Sequence, residues 1–151
     1  MRGSEEGIDP SGRRLASPRR PEPLVKKKIL IAEDEFLPAA HLRVALSKAG
    51  HEVVGSVATG AECVEAARSA SPDLILLDIR LAGDMDGIEA ARQIRRFSTA
   101  SIIFMSGYQE MSFRERAMES SPLAFLVKPI LLRDLEAILG RDDEGPQGVV
   151  S

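Results

Sequence analysis

Leu74-Ile75-Leu76-Leu77-Asp78 is the stretch on which the reading of this chain turns. Four apolar residues in a row, preceded by the Ser71-Pro72 turn, predict a short strand buried on both faces. Packing gives no reason for a carboxylate at the carboxyl end of such a strand. A ligand site does, because open α/β sheets bind ligands beyond the carboxyl ends of their strands. Two other apolar runs end with matching chemistry: Ile29-Leu30-Ile31 leads to Glu33-Asp34, and Phe125-Leu126-Val127 leads to Lys128.

Working outward from these runs, strand and helix signals alternate five times. Strands are predicted at Lys28–Ala32, Glu52–Ala58, Leu74–Asp78, Ser101–Met105 and Leu123–Val127. The first helix carries Pro38 in its first turn and Leu42, Ala45, Leu46 and Ala49 on one face, and Gly50 ends it. Thr59-Gly60-Ala61-Glu62 has the spacing of a capping box and opens the second helix. Asp86-Gly87-Ile88-Glu89 repeats the device with Asp and opens a third helix, through about Phe97. A short, polar fourth helix near Ser112–Glu115 is expected to be mobile or irregular before Ser120-Ser121-Pro122 breaks it. Leu131–Leu139 forms the fifth. Such alternation with short connections implies an α/β fold, a doubly wound parallel sheet with helices on both faces.

Composition narrows the function. The chain has 151 residues, enough for one domain with a real core. Residues 1–27 hold 7 basic and 4 acidic residues, whereas 28–151 hold 13 basic and 19 acidic ones. The folded part is therefore acidic, which argues against a nucleic-acid surface and favours a metal ion or a basic partner patch. The lone Cys63 forms no internal disulfide and fits a reducing cytoplasm. His41 and His51 stand far apart with no cysteine cluster, so a nitrogen or sulfur metal site is not expected. No stretch has the length of a membrane span or the apolar core of a signal peptide. Residues 1–26 and 141–151 are expected to be disordered extensions flanking a domain at 27–140.

Taken together, Glu33-Asp34, Asp78, Ser106-Gly107 and Lys128-Pro129 resemble the receiver domain of two-component response regulators. The resemblance covers about residues 27–140 and follows the family's order of functional positions. It implies a flavodoxin-like (βα)5 fold with strand order 2-1-3-4-5. It implies that Asp78 accepts a phosphoryl group. Mg²⁺ would be held by Asp34 and Asp78, by Glu33 directly or through water, and by the backbone carbonyl of Arg80. Lys128 would neutralise a phosphoryl oxygen, and Ser106 would donate a hydrogen bond to it. Phe125 occupies the place of the family's switch aromatic, with Tyr108 a second aromatic at the same surface. A cis bond before Pro129 would aim Lys128 inward, as in the family.

The chain departs from the family pattern in four places. Glu33 stands where Asp is commoner. The loop 81–87 is one residue longer than usual and lacks a proline after Leu81. Arg80, two residues past the acceptor, is placed to tune phosphoryl lifetime. Phe104-Met105-Ser106-Gly107-Tyr108 resembles the Phe-x-Thr-Gly-Tyr (FATGUY) stretch of certain single-domain receivers, with Ser in place of Thr.

Competing readings fare less well. A flavin or nucleotide binder needs a phosphate-cradling loop after the first strand, where this chain has Glu33-Asp34-Glu35. A haloacid-dehalogenase-type phosphatase has a second Asp where Arg80 stands. A receiver-fold adaptor that binds partners without phosphorylation is the serious alternative, although such proteins usually lose one of the acids or the lysine. The expectation is a stand-alone cytoplasmic receiver, not an enzyme in the ordinary sense. Its partners would be a histidine kinase or histidine phosphotransfer protein and a protein target.

Overall fold

A computed structural model describes residues 10–11 and 25–143. The expected disordered extension and tail lie outside the described residues, apart from 10–11, 25–26 and 141–143. The last three are helical.

The strands are β1 (Lys28–Ala32), β2 (Glu52–Val57), β3 (Leu74–Asp78), β4 (Ser101–Ser106) and β5 (Ala124–Val127). They form one parallel sheet in the order β2-β1-β3-β4-β5. Every residue of β3 is buried, as expected for a strand flanked by two others and covered on both faces. The order reverses between β1 and β3, so a crevice opens where their carboxyl ends diverge. Glu33-Asp34 and Asp78 end the two strands that bound it.

Alternate residues of each strand feed separate cores. On one face Leu30, Ile75, Leu77, Phe104 and Phe125 pack with α2 (Gly60–Ala70), α3 (Gly87–Ile94) and α4 (Arg114–Met118). On the other, Ile31, Leu76, Ile103 and Leu126 pack with α1 (Phe36–Lys48) and α5 (Leu132–Asp143).

Helix ends follow their local chemistry. At the end of α1, Gly50 adopts φ +101° while its N–H and that of His51 donate to Ser47 O and Leu46 O. This is the Schellman arrangement that glycine makes easy. Both halves of the capping box at Thr59 and Glu62 are present. At α3 only one half forms: the Asp86 carboxylate accepts from Glu89 N at 2.8 Å, while the Glu89 side chain turns to Arg92 and Gln93. Helix α3 stops at Ile94 rather than Phe97, because the chain tightens into i→i−3 bonds at Arg96 and Phe97. The Arg95 guanidinium sits at that point and donates to the carbonyls of Ser98, Ala100 and Ser120.

The fourth helical segment is irregular, as its polar sequence suggests. A 3₁₀ turn at Tyr108–Phe113 precedes the five residues of α4. Helix α5 runs through Asp143 rather than ending at Leu139. Its glycine at 140 costs about 1 kcal/mol in a helix interior, too little to break it alone.

Candidate phosphoryl-acceptor site

The carboxyl ends of β1, β3 and β5 bring Glu33, Asp34, Asp78 and Lys128 together. Oxygens of the three acids lie within 4.8 Å of one another, Glu33 and Asp78 buried and Asp34 exposed. Lys128 Nζ donates to Glu33 Oε1 at 2.7 Å and to Asp78 Oδ2 at 2.5 Å. The remaining oxygens are also engaged: Asp78 Oδ1 accepts from Arg80 N at 3.1 Å and Glu33 Oε2 from Glu35 N at 2.9 Å. The Lys128 backbone N–H donates to Ser106 O at 2.7 Å, fixing the end of β5 against β4. The Lys128–Pro129 bond is cis.

Burial pushes the Asp78 carboxyl up to about 6, and the nearby Glu33 charge adds to the effect, against the pull of Lys128 and the Arg80 N–H. Burial also works against the Lys128 ammonium, yet its bonds to Asp78 and Glu33 outweigh it and hold its pKa above the ordinary lysine value. An ion pair alone would lower the acid while raising the base. Lys128 therefore keeps its proton, while at Asp78 burial outweighs the pull of that single ammonium, which Glu33 also shares.

The donor set fits a hard divalent cation. All three acids offer oxygen, and the cleft beside them, about 360 Å³, is lined by Asp34, Asp78, Arg80, Gly107 and Lys128 among others. It has room for the waters that Mg²⁺ retains alongside one or two carboxylates.

Ser106 is fully buried at the end of β4, and its hydroxyl has no hydrogen-bond partner. Phe125 is fully buried, its ring 6.1 Å from that of Phe104, with the Arg114 guanidinium 5.5 Å away. Tyr108 stands 81% exposed on the 3₁₀ turn and does not line the cleft.

Two features escape a reading of the sequence. Glu110 is buried, accepting from Gly107 N at 2.7 Å and from the Arg80 guanidinium at 3.3 Å. Gly87 starts α3 so close to β3 that a Cβ there would lie 2.0 Å from the Asp78 carbonyl oxygen. The loop 81–87 is tied at both ends, by Ala82 N to Ala58 O at 3.2 Å and by Gly87 N to Ile79 O at 2.8 Å. Within the loop Gly83 adopts φ +88°.

A five-stranded sheet of this order, with acids and a lysine converging at its carboxyl edge, defines a receiver. Residues 29–140 match the family described as the response regulator receiver domain. The chain belongs to that family.

It is 37% identical over 111 residues to the transcriptional regulatory protein PdtaR of Mycobacterium tuberculosis, covering 74% of this chain and 54% of that protein. The chain thus spans about half the length of that relative. It is 36% identical over 113 residues to the chemotaxis protein CheY of Bacillus subtilis, covering 74% of this chain and 93% of that protein. Among solved structures, it resembles the signal receiver domain of a modulated diguanylate cyclase from Desulfovibrio desulfuricans G20. The TM-score is 0.70 at 32% identity, covering 80% of this chain and 98% of that one. Among the described residues, no helix is long and apolar enough to cross a membrane.

Proposed function

We propose that Asp78 accepts a phosphoryl group from a histidine kinase or histidine phosphotransfer protein, and that the chain signals by protein–protein contact. The observation that carries this reading is geometric: buried Asp78 and Glu33 converge on one lysine ammonium at the mouth of a polar cleft.

In the transfer, an Asp78 oxygen bonds to phosphorus as the phosphorus–nitrogen bond of the donor phosphohistidine breaks; the electron pair stays on the imidazole nitrogen, and the ring leaves neutral with a proton on its other nitrogen or one taken from solvent. Lys128 lies against the nucleophile and would pair with a phosphoryl oxygen. Mg²⁺, when bound by Asp34 and Asp78 with Glu33 and the Arg80 carbonyl, would neutralise further phosphoryl charge. The unpartnered Ser106 hydroxyl is free to donate to the new group. Drawing Ser106 toward it would loosen the packing around Phe125 and so change the surface of α4, β5 and α5. Water attack on the acyl phosphate would reset the site, with Arg80 tuning that rate. The protein is modified once per cycle and turns over no separate substrate. The Phe104–Tyr108 stretch supports a place among the Phe-x-Thr-Gly-Tyr receivers, and the lone buried thiol supports a cytoplasmic setting.

Intact mass after incubation with acetyl phosphate tests the assignment. The expected result is one phosphoryl adduct that requires Mg²⁺ and is absent in Asp78→Asn. Label persisting in that variant would move the acceptor elsewhere. No adduct from acetyl phosphate or from a panel of phosphorylated histidine kinases would leave a phosphorylation-independent adaptor as the better reading.

A further inference from the structure

Glu110 contributes to neither the acid cluster nor the core, yet it is only 4% exposed. Its two oxygens hold two donors at the rim of the same cleft: the Gly107 N–H at 2.7 Å and the Arg80 guanidinium at 3.3 Å. A backbone amide beside a switch hydroxyl and a guanidinium beside the acceptor are the donors a tetrahedral oxyanion would recruit. Both flank Asp78 and Lys128 in the cleft lining. We propose that the Glu110 carboxylate is an internal stand-in for the phosphoryl group, holding the Gly107 amide and Arg80 until phosphorylation of Asp78 displaces it. The inference rests on the phosphoacceptor reading of Asp78 and adds a positioning residue to it.

Three observations support displacement. The Arg80 side chain is 70% exposed, so its pair with Glu110 is weak and easily exchanged. Glu110 lies in the 3₁₀ turn Tyr108–Phe113, whose hydrogen-bond geometry is poorer than that of an α-helix and whose rearrangement costs correspondingly less. Gly107 lets the carboxylate approach: a Cβ there would lie 3.2 Å from Glu110 Oε1 and 2.9 Å from Gln109 Oε1. A phosphoryl group adds roughly −1.5 to −2 charges. Placed on Asp78, it would repel Glu110, attract Arg80 and take over the Gly107 amide. The released turn carries Tyr108, 81% exposed, so the event at the cleft reaches the surface through one short segment.

The test uses the full chain with beryllofluoride and Mg²⁺ as the phosphoryl mimic, titrated against wild type, Glu110→Ala, Glu110→Gln and Asp78→Asn. Amide exchange is followed over Gln109–Phe113. Removing the competing anion should tighten beryllofluoride binding about tenfold in Glu110→Ala, with Glu110→Gln between it and wild type. A purely structural role for Glu110 would weaken binding instead. In wild type the adduct should raise exchange at Gln109–Phe113. Equal or weaker binding in both variants, with exchange unchanged, overturns the stand-in while leaving the phosphoacceptor reading intact. No adduct in wild type, against a control receiver that forms one, overturns both. Should Glu110→Ala fold poorly, Glu110→Gln and the wild-type exchange data decide the matter.

Discussion

The Lys128 ammonium at the end of β5 reaches across the tip of β4 to the Asp78 carboxylate, 2.5 Å away at the end of β3. The same nitrogen holds Glu33, beyond β1, at 2.7 Å. One flexible side chain therefore closes the carboxyl edge of the sheet, and its partners have side chains only 1% and 3% exposed.

Removing that cation strands two buried carboxylates beside each other. Lys128→Ala should lower stability by about 3 kcal/mol at pH 7 in the absence of divalent cations. Added Mg²⁺ should recover much of the loss, because the acid donors remain in place. Urea unfolding of wild type and variant, each with EDTA and with Mg²⁺, reads both effects. Equal midpoints for the two proteins in EDTA would mean that the ion pairs carry no weight in the fold.

The start of α3 sets a second expectation. Gly87→Ala would place a methyl 2.0 Å from the Asp78 carbonyl oxygen and 3.0 Å from Ile79 Cα, neither of which can swing aside. The loss should be about 3 kcal/mol or more. Gly83→Ala meets nothing nearer than 3.8 Å and suffers only from its φ of +88°, a cost of about 1 kcal/mol. Thermal unfolding should rank the two variants in that order. A milder effect at Gly87 would show that the loop can move away from β3.

The thiol gives a pH dependence. Cys63 is fully buried, and burial pushes its pKa from the ordinary 9.0 up to about 12. The folded state therefore keeps a proton that the unfolded chain releases. This contribution to stability is fully present below pH 9 and is lost between pH 9 and 12, at about 1.4 kcal/mol per pH unit. The difference between wild type and Cys63→Ala should change with that slope over that window. A disulfide-exchange reagent at pH 8 should find no reactive thiol in the native protein and one in denaturant. Rapid native labelling would mean that α2 opens readily.

Elements whose cause is local were legible in the sequence. The runs Leu74–Leu77 and Phe125–Val127 announce buried strands, the chemistry at their ends announces the cleft, and Thr59-Glu62 and Gly50 mark helix ends by spacing alone. What was not legible depends on distant neighbours. Nothing near Arg80 points to Glu110, thirty residues on. The early stop of α3 coincides with Arg95 bonds to carbonyls as far away as Ser120. The segment before β5 offered a weak helix signal, and a 3₁₀ turn plus a short α4 is what it forms. Gly87 reads as an ordinary second residue of an Asp cap; only the approach of β3 shows why a side chain cannot stand there.

The two cores separated by the sheet have one more consequence. Phe125 and Leu126 are adjacent in β5, yet one packs with α2, α3 and α4 and the other with α1 and α5. The sheet works as a bulkhead, across which side chains do not touch. Substitutions on opposite faces should therefore add, whereas those sharing a face should interact. A packing defect opened behind Phe125 has to be repaired from the α2–α3–α4 side, and a suppressor screen would find its answers there.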